Sequence, residues 1–324
     1  MAQPKFEGYP SGWFVVAWAE DLAPGDVLPL RYFGKHLVAY RGHDDGLVHI
    51  HDAHCPHLGA HLAYGGKVEG NGIRCPFHSW RFGADGVCDD VPYAKRIPPK
   101  ACVTSYVVQE SNGLVFMWHD PHGSEPSYSI PKLEGWGAPE WTGWTKKILT
   151  IKTHPKEIVE NVADKTHFPR VHGTHVDLFE NEYNGHIAIQ RSSGVAYPRG
   201  GGEDKFKLEA TYYGPAFQVT EMEGVMRSRL VNAHTPIDQH NLHLRFGVML
   251  KRLGDPSKTQ RLADAYVDNL QVGFAEDIAI WENKCYRDRP ILSDADGPIA
   301  QLRKWYSQFY DQRAHVSLPQ APAD

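Results

Sequence analysis

The segments CPH and CPFH each supply one cysteine and one histidine. Cys55 and His57 form a C-x-H pair, and Cys75 and His78 form a C-x2-H pair. Thiolate and imidazole groups together bind zinc or iron in proteins. A structural zinc ion is one interpretation, because two cysteines and two histidines make a complete tetrahedral site. The usual zinc order, however, is a pair of cysteines followed by a pair of histidines.

The mixed order favours a two-iron cluster in which one iron takes both thiolates and the other takes both imidazoles. A Rieske [2Fe–2S] centre has this ligation. A proline follows each cysteine and stiffens its loop, and Gly59, Gly65 and Gly66 permit the tight turns needed to present backbone N–H groups to sulfur. We therefore predict a Rieske cluster whose ligands are Cys55, His57, Cys75 and His78.

Other histidines and cysteines near these segments lack the ligand spacing. We predict that the three extra histidines lie at the surface or pack in the core; they are His51, His54 and His61. Cys88 and Cys102 are predicted to be small core residues.

A second candidate metal site lies in the segment ENVADKTHFPRVH. His167 and His172 are five residues apart, with Pro169 between them. Two imidazoles and one carboxylate form the facial triad of non-haem Fe(II) oxygenases, which leaves positions open for O2. The H-x4-H spacing is weak alone, but a one-electron cluster upstream needs an acceptor, so we predict a mononuclear iron here.

Asp277 is the predicted carboxylate ligand. Apolar residues at 270, 274, 278 and 281 form one stripe of a predicted helix over 259–284, and Asp277 falls on that stripe. A buried carboxylate needs a partner, which is either iron or a buried arginine. Glu276 points about 100° away from the stripe and is the weaker candidate.

Asp164 lies three residues before His167, on nearly the same face of a predicted helix that opens at Pro155. Metal-bound histidines commonly donate their second N–H to a carboxylate. Asp164 is therefore predicted to orient His167 and also to reach a Rieske histidine, which makes it an electron-transfer bridge. An ordinary helix acid is the alternative.

The elements that hold these residues indicate an α+β protein. Short strand patterns and turn residues fill an all-β unit over 1–121, a Pro-, Gly- and Ser-rich linker follows over 122–145, and a mixed unit fills 146–324. In the last unit, strand patterns occur at 185–192, 205–213, 216–234 and 241–252, and a further helix is predicted over 298–310.

Composition excludes several classes of protein. The chain has 324 residues, 41% of them hydrophobic, and a net charge of -5, and it contains no long basic run for nucleic acid. No apolar run approaches a membrane span, and no secretory signal is evident, so a cytoplasmic location is expected. Five scattered cysteines do not make a disulfide framework.

The chain resembles the oxygenase α components of the Rieske non-haem iron oxygenases. The family motifs C-x-H…C-x2-H and D-x2-H-x4-H match this sequence, followed by the downstream aspartate. The segments DGVCDDVPYAKRIPPKA, GLVFMWHD, EATYYGPAF and EDIAIWENKCYRDRPILSDADGPIAQLRKWYSQFY are similar to the 3-ketosteroid 9α-hydroxylase group of this family.

The resemblance implies a helix-grip-like catalytic domain, O2 as co-substrate and a homotrimer in which electrons pass from His78 through Asp164 to His167 of a neighbouring subunit. It also implies a flavin-containing ferredoxin or ferredoxin reductase as electron donor, fed by NAD(P)H. The sequence lacks G-x-G-x-x-G and C-x4-C-x2-C motifs, which places flavin, nicotinamide and plant-type cluster sites on that partner.

The predicted substrate is a small molecule, not a macromolecule, with a bulky apolar skeleton of steroid type. Met222, Met226, Phe246 and Met249 either line its pocket or belong to the sheet core. The alternative within the same chemistry is an O-demethylase or aromatic-ring oxygenase. Alternatives of other classes are a Rieske electron carrier, which would not need the second metal motif, and a zinc-stabilised binding protein.

Overall fold

β-Strands form the N-terminal part of the chain. The computed structural model describes residues 8–197, 201–224 and 226–310. The N-terminal strands are β1 (Gly12–Trp18), β2 (Val27–Tyr32), β3 (Lys35–Arg41), β4 (Val48–Asp52), β5 (Lys67–Glu69), β6 (Gly72–Arg74), β7 (Arg81–Phe82), β8 (Cys88–Asp90), β9 (Ser105–Tyr106), β10 (Val108–Ser111) and β11 (Leu114–His119), with a 3₁₀ turn at Ala19–Asp21.

These strands make three antiparallel sheets, with the orders β1-β11-β10, β2-β3-β4-β9 and β5-β6-β7-β8. Strands β2 and β3 form a hairpin. Its loop consists of Phe33 and Gly34, with φ angles of 56° and 71°. Two consecutive residues with positive φ are typical of the type I′ turn, whose twist matches that of paired strands.

The β5–β8 sheet positions the two cysteine–histidine segments. The first segment lies in the loop between β4 and β5, and the second connects β6 to β7. Strands β6 and β7 are antiparallel neighbours, with Arg74 opposite Arg81, so the second loop is the end of a hairpin. The cysteines of both loops pack in one buried cluster with Tyr40, Trp80 and Phe82.

The C-terminal part is built on one large sheet. Its elements are β12 (Thr145–Ile151), α1 (Pro155–Val159), α2 (His167–Val171), β13 (His175–Asn184), β14 (Ile187–Ala196), β15 (Asp204–Tyr213), β16 (Phe217–Glu223), β17 (Ser228–Pro236), β18 (Leu242–Leu250), α3 (Pro256–Trp281) and α4 (Ile299–Tyr306), with 3₁₀ turns at Glu160–Val162 and Ser307–Phe309. The antiparallel seven-stranded order is β12-β18-β17-β16-β15-β14-β13.

Strand β1 links the two parts because both of its faces are buried. Alternate residues point to opposite faces of a strand. Phe14 packs with the core of the β2–β4 sheet, whereas Trp13 and Val15 pack against Phe217 and other residues of the large sheet. This double burial accounts for the continuous apolar sequence WFVVAW.

Helix α3 lies across β12 and β18 of the large sheet. It begins at a strong N-terminal signal, since Pro256 is the first helical residue and the Asp255 carboxylate accepts hydrogen bonds from the N–H groups of Ser257 and Lys258. Ala263 and Val267 are buried on its inner face. Among the described residues, no helix is long and apolar enough to cross a membrane.

The α+β class with an antiparallel C-terminal sheet is confirmed, with local differences. Strand β13 was not predicted, because its residues are mostly exposed and polar. The predicted run 216–234 is two strands, β16 and β17, which pair with each other. The helix predicted from Pro155 ends early, at Val159, and continues only as a 3₁₀ turn. The division at 1–121, 122–145 and 146–324 stays a prediction.

Candidate metal centres

The two cysteine–histidine loops have the same backbone design. The N–H of Cys55 donates to the carbonyl of Ala60, and the N–H of Cys75 donates to the carbonyl of Trp80, five residues on in each case. The backbone N–H of the fourth residue after each cysteine donates a hydrogen bond to the carbonyl of that cysteine. These residues are Gly59 and Ser79, with φ angles of 77° and 60°. Each loop therefore needs one left-handed residue to hold its cysteine in place.

The loops place sulfur beside sulfur and imidazole beside imidazole. Cys55 and Cys75 are both 2% exposed. Burial raises the pKa of the Cys55 thiol to about 11, and the neighbouring Cys75 thiol also raises it. The rings of His57 and His78 lie 4.6 Å apart, centre to centre. A pair of thiolates and a pair of imidazoles is the donor set of a Rieske cluster, whose irons stabilise the thiolate form.

The same four residues do not fit a single zinc ion. Ligands of one tetrahedral zinc lie within about 4 Å of one another, because each bond is about 2.0–2.3 Å long. Among the described residues, only one group of three or more His, Cys, Asp or Glu residues has its ligand atoms within 4.8 Å of one another. That group lies in the C-terminal part of the chain and contains none of these four residues. In addition, the buried Nδ1 atom of His57 has no hydrogen-bond partner among the described residues, so it is available to a metal.

The other histidines and cysteines near the cluster loops differ in their burial. His51 is fully buried, hydrogen-bonds to the Tyr40 hydroxyl at 2.9 Å, and has a pKa lowered to about 4 by burial. It is a packing histidine, as predicted. Cys88 is buried, also as predicted, but Cys102 is exposed. The prediction for Cys102 was wrong because its neighbours Ala101 and Val103 both face inward.

His54 and His61 are not part of the pair formed by His57 and His78. They pack against each other, with ring centres 5.1 Å apart. His54 is exposed and His61 is half-buried. Both therefore match the predicted surface or packing role.

The three predicted iron ligands come together in the C-terminal part. One ligand atom from each of His167, His172 and Asp277 lies within 4.8 Å of the other two. His172 Nε2 is 3.4 Å from Asp277 Oδ1, and this hydrogen bond is the main cause that raises the pKa of His172 above its ordinary value. Asp277 therefore stabilises positive charge at the place where a divalent cation would bind. Iron fits this donor set.

Two further contacts orient the histidines. The Nδ1–H of His167 donates to the backbone carbonyl of Asp164 at 2.5 Å, which leaves Nε2 free for a metal. The Nδ1–H of His172 faces Glu276 Oε2 at 3.2 Å. Glu276 thus lies next to a ligand without being part of the three-ligand cluster. In the sequence, the only indication that Glu276 contacts the histidine was its position one residue before Asp277.

The predicted helix through Asp164 and His167 does not form. Helix α2 begins at His167, and Asp164 lies in the preceding turn. Its carboxylate accepts hydrogen bonds from the Thr166 hydroxyl at 3.1 Å and from the His167 N–H at 3.3 Å. The group that orients the His167 ring is consequently the carbonyl of Asp164 and not its carboxylate. Pro169 is tolerated because it lies in the first turn of α2.

A cavity of about 180 Å³ adjoins the three candidate ligands. Its apolar wall includes Ile158, Phe168, Leu244, Phe274 and Trp281. Trp281 and Phe274 flank Asp277 on the stripe of α3 that the sequence predicted.

Polar side chains from the large sheet line the same cavity. Gln190, Gln218, Thr220 and Asn232 contribute, from β14, β16 and β17. Gln190 is 2% exposed, and its Nε2 amide group has no hydrogen-bond partner among the described residues. The sequence pattern does not reveal these residues, because an alternation of polar and apolar residues in a strand does not show which polar side chains face a cavity.

The alternative left open for Met222, Met226, Phe246 and Met249 is decided by packing. None of the four lines the cavity. Phe246 is a fully buried member of the core between α3 and the sheet, Met222 and Met226 pack against that core, and Met249 is fully buried.

Comparison with known proteins assigns both parts of the chain. Residues 12–107 match the family described as the Rieske [2Fe-2S] domain. Residues 117–310 match the family described as the 3-ketosteroid 9alpha-hydroxylase C-terminal domain. The chain belongs to the Rieske non-haem iron oxygenases, in the 3-ketosteroid 9α-hydroxylase group. The resemblance predicted from the motifs is confirmed, and this Rieske oxygenase is the oxygenase component of a multicomponent monooxygenase.

Individual relatives cover most of the chain. The oxygenase component of 3-ketosteroid-9-alpha-monooxygenase from Rhodococcus rhodochrous is 37% identical, over 92% of this chain and 83% of that protein. A cholesterol 7-desaturase from Hemicentrotus pulcherrimus is 34% identical, over 94% of this chain and 71% of that protein. Dicamba monooxygenase bound to dicamba shares the fold, with a TM-score of 0.78, 19% identity and coverage of 95% of this chain and 99% of that chain.

Membership of the family as an oxygenase component has two consequences for this Rieske oxygenase. A [2Fe–2S] cluster belongs to its Rieske domain. Its electrons come from a separate electron-transfer partner, as the role of oxygenase component implies. The zinc-stabilised binding protein and the isolated electron carrier are therefore excluded.

Proposed function

We propose that this oxygenase inserts oxygen into a C–H bond of a 3-ketosteroid-like substrate bound in the cavity beside His167, His172 and Asp277. The observation that carries the proposal is the convergence of these three ligand atoms within 4.8 Å at the wall of a largely apolar cavity. Iron bound there would supply the site of O2 activation. The cluster ligands in the proposal are Cys55, His57, Cys75 and His78.

The proposed substrate class combines the cavity chemistry with the names of the relatives. A steroid is a large apolar skeleton, which suits the wall formed by Phe274, Trp281 and their neighbours. The buried Gln190 amide N–H lacks a protein acceptor among the described residues, and a ketone oxygen would supply one. Burial of an unsatisfied donor costs about 1–3 kcal/mol, so a ketone that pairs with it gains affinity and orientation.

The size of the cavity requires motion for a four-ring substrate. Its volume of about 180 Å³ is below the range of about 300–1,000 Å³ that is usual for ligand pockets. Helix α2 carries His167 and Phe168 at the wall, and His172 directly follows it. The helix has only five residues and buries none of them. Weakly packed segments open at low free-energy cost. We propose that α2 moves outward when the substrate enters.

The side chains around the iron site have separate tasks in this proposal. The Asp164 carbonyl and Glu276 hold the protons on the Nδ1 atoms of the two histidines, so both Nε2 atoms face the metal. Phe274 and Trp281 exclude water from the ligand Asp277, which strengthens its interaction with a cation.

The electron route in the proposal runs between subunits of a homotrimer, from His78 through the Asp164 carboxylate of the neighbouring subunit to its His167. Within one chain, the Asp164 carboxylate is half-buried and lies beside the His167 backbone. The donor is a flavin-containing ferredoxin or ferredoxin reductase that uses NAD(P)H, and the cytoplasm is the proposed location.

A second candidate function is dealkylation or hydroxylation of a smaller aromatic molecule, and the cavity volume favours it. The deciding experiment supplies the purified oxygenase with a surrogate reductase and NADH, and measures product mass with 3-ketosteroids in parallel with methoxylated aromatic acids. Hydroxylated steroid product supports the first function. Formaldehyde release from the aromatic substrates, without steroid turnover, would establish the second.

Gln190→Leu refines the same assay. With a 3-ketosteroid, its KM should rise about tenfold or more, because the donor to the ketone is lost. With a steroid that carries no 3-ketone, KM should change little. Equal losses with both steroids would show that Gln190 does not contact the ketone.

A further inference from the structure

An exposed basic loop lies beside the candidate cluster. We use the name basic loop for residues 92–100, PYAKRIPPK, all of which are exposed. Lys95, Arg96 and Lys100 give it three positive charges, and it contains no acidic residue. None of these three side chains forms an ion pair with another residue that the structure describes. The chain as a whole has a net charge of -5, so the loop is a local exception.

The acidic residues that precede the basic loop do not neutralise it. Asp89 forms an ion pair with Arg81, and Asp90 pairs with Arg74 at 2.9 Å. Both acids are therefore engaged by arginines of the β5–β8 sheet and not by the loop, and Arg74 is shared between Asp90 and Glu69. The positive charge of the loop remains available to a partner in solution.

Aromatic contacts connect the basic loop to the cluster site. Tyr93 is 62% exposed, and its hydroxyl accepts a hydrogen bond from Trp80 Nε1 at 2.7 Å. The Trp80 ring stacks on the His57 ring, with centres 4.7 Å apart and an angle of 7° between planes. A side chain on the protein surface is thus linked by two contacts to a candidate cluster ligand.

We propose that the basic loop is the docking surface for an acidic electron-donor protein, and that the electron enters through Tyr93, Trp80 and His57. This inference rests on the proposed function, in which His57 is a cluster ligand and the donor is a separate protein. Tyr93 and Ile97, the latter 37% exposed, supply apolar surface in the same loop as the three cations. Charged rims steer the encounter of transient complexes, whose interfaces are small.

The transfer is a one-electron exchange that balances without another reactant. A reduced plant-type [2Fe–2S] ferredoxin loses one electron and the Rieske cluster gains it. Rieske centres have higher reduction potentials than plant-type ferredoxins, so the transfer is favourable.

The test is stopped-flow reduction of the oxidised oxygenase by a reduced, acidic plant-type ferredoxin, followed by the visible absorbance of the Rieske cluster. At low ionic strength, Lys95→Glu/Arg96→Glu/Lys100→Glu should lower the second-order rate constant at least tenfold. Added salt should slow the parent protein but not this variant, because salt screens attraction. An unchanged rate constant and salt dependence would overturn the docking proposal.

A matched control separates local charge from net charge. Lys251→Glu/Lys258→Glu/Lys304→Glu makes the same change in net charge at exposed positions of the C-terminal part. This variant should keep the rate constant within about twofold of the parent's. An equal loss in both variants would contradict a specific docking surface.

Further measurements distinguish the possible failures. Dithionite should reduce the cluster of the charge-reversed variant as completely as that of the parent. The neutral variant Lys95→Gln/Arg96→Gln/Lys100→Gln should be slowed to an intermediate degree. A changed oligomeric state of both variants in gel filtration would mean that the loop is a subunit contact, which overturns the proposal. A parent protein without a Rieske spectrum would instead overturn the proposed function.

The entry route is tested at saturating ferredoxin, where the limiting first-order rate no longer depends on docking. Tyr93→Leu should lower this rate at least threefold, because it removes the ring and the contact with Trp80. Tyr93→Phe, which keeps the ring, should retain most of the rate. A parent-like limiting rate for Tyr93→Leu would exclude this route while the charge variants still decide the docking surface.

Discussion

The cluster loops and the iron site differ in how firmly the fold holds them. Both cluster cysteines lie in a buried core and close turns with matched backbone hydrogen bonds. Two of the proposed iron ligands, by contrast, lie on or directly after α2, a five-residue helix that buries no residue. An electron carrier works best when its ligands stay fixed, whereas an oxygenase must admit a substrate beside its metal. The packing of each site agrees with its proposed task.

The largest expected effect comes from breaking the cluster site. Cys75→Ser should abolish the Rieske visible and EPR spectra and lower the iron content from about three to about one per chain, since a buried serine does not replace a thiolate ligand. Cys88→Ser is the matched control, because Cys88 is also buried in the same core but outside the ligand loops. Loss of the spectrum in the control would show that core packing, and not ligation, is being measured.

The next largest effect concerns the iron site alone. Asp277→Ala should remove the mononuclear iron and abolish turnover while the Rieske spectrum persists, because the two sites share no residue. Iron analysis and EPR of the same sample check both halves of this expectation. Retention of about three irons per chain in the variant would assign the third ligand to another carboxylate.

Asp164→Asn tests the connection between the two regions. Asparagine keeps an oxygen that accepts from Thr166 and from the His167 N–H, and the backbone carbonyl that orients His167 is untouched. Both metals should therefore remain, and steady-state turnover should fall at least about 100-fold if the carboxylate carries electrons between subunits. Rapid cluster reduction with slow cluster reoxidation is the signature to measure. Normal turnover would eliminate the bridge.

A smaller effect is expected for the group that supports His172. Glu276→Gln should weaken iron binding about 10- to 100-fold without changing the Rieske spectrum, because the orienting carboxylate becomes a neutral amide. Glu282→Gln is a control at the end of the same helix, where the carboxylate accepts from the Lys152 N–H instead. Iron titration of the apo protein gives both affinities.

The smallest effect is a pH dependence confined to the iron site. Asp277 raises the pKa of His172 above 6.5 in the metal-free protein. The charged imidazole stabilises the apo fold below pH 6.5, and this contribution is lost as the pH rises through the raised pKa. Iron needs the neutral ring, so its affinity should fall as the pH drops through the same value. Dialysis from about pH 8 to about pH 6 should release mononuclear iron and leave the cluster absorbance unchanged.

The sequence predicted more about the cluster site than about the cavity. Each cysteine–histidine pair is a local pattern whose turn residues are visible in the sequence, such as Gly59. The carboxylate Asp277 was also predicted, because a helical stripe shows which side of α3 is buried. The cavity residues Gln190 and Asn232 were not, since a strand pattern alone does not show which of its polar residues face a ligand.

The α+β class, the family and the spacing of the candidate ligands could all be inferred from the sequence, because they depend on local patterns and on motifs that are contiguous in the chain. The folded structure was needed to show that His172 meets Asp277 and Glu276. It was also needed to show that Asp164 orients His167 through its carbonyl and that the methionines belong to the core. The His172 contacts depend on how α2 and α3 pack on one sheet, whereas the Asp164 contact depends on where α2 begins. Contacts across about one hundred residues are set by that packing and not by local propensity.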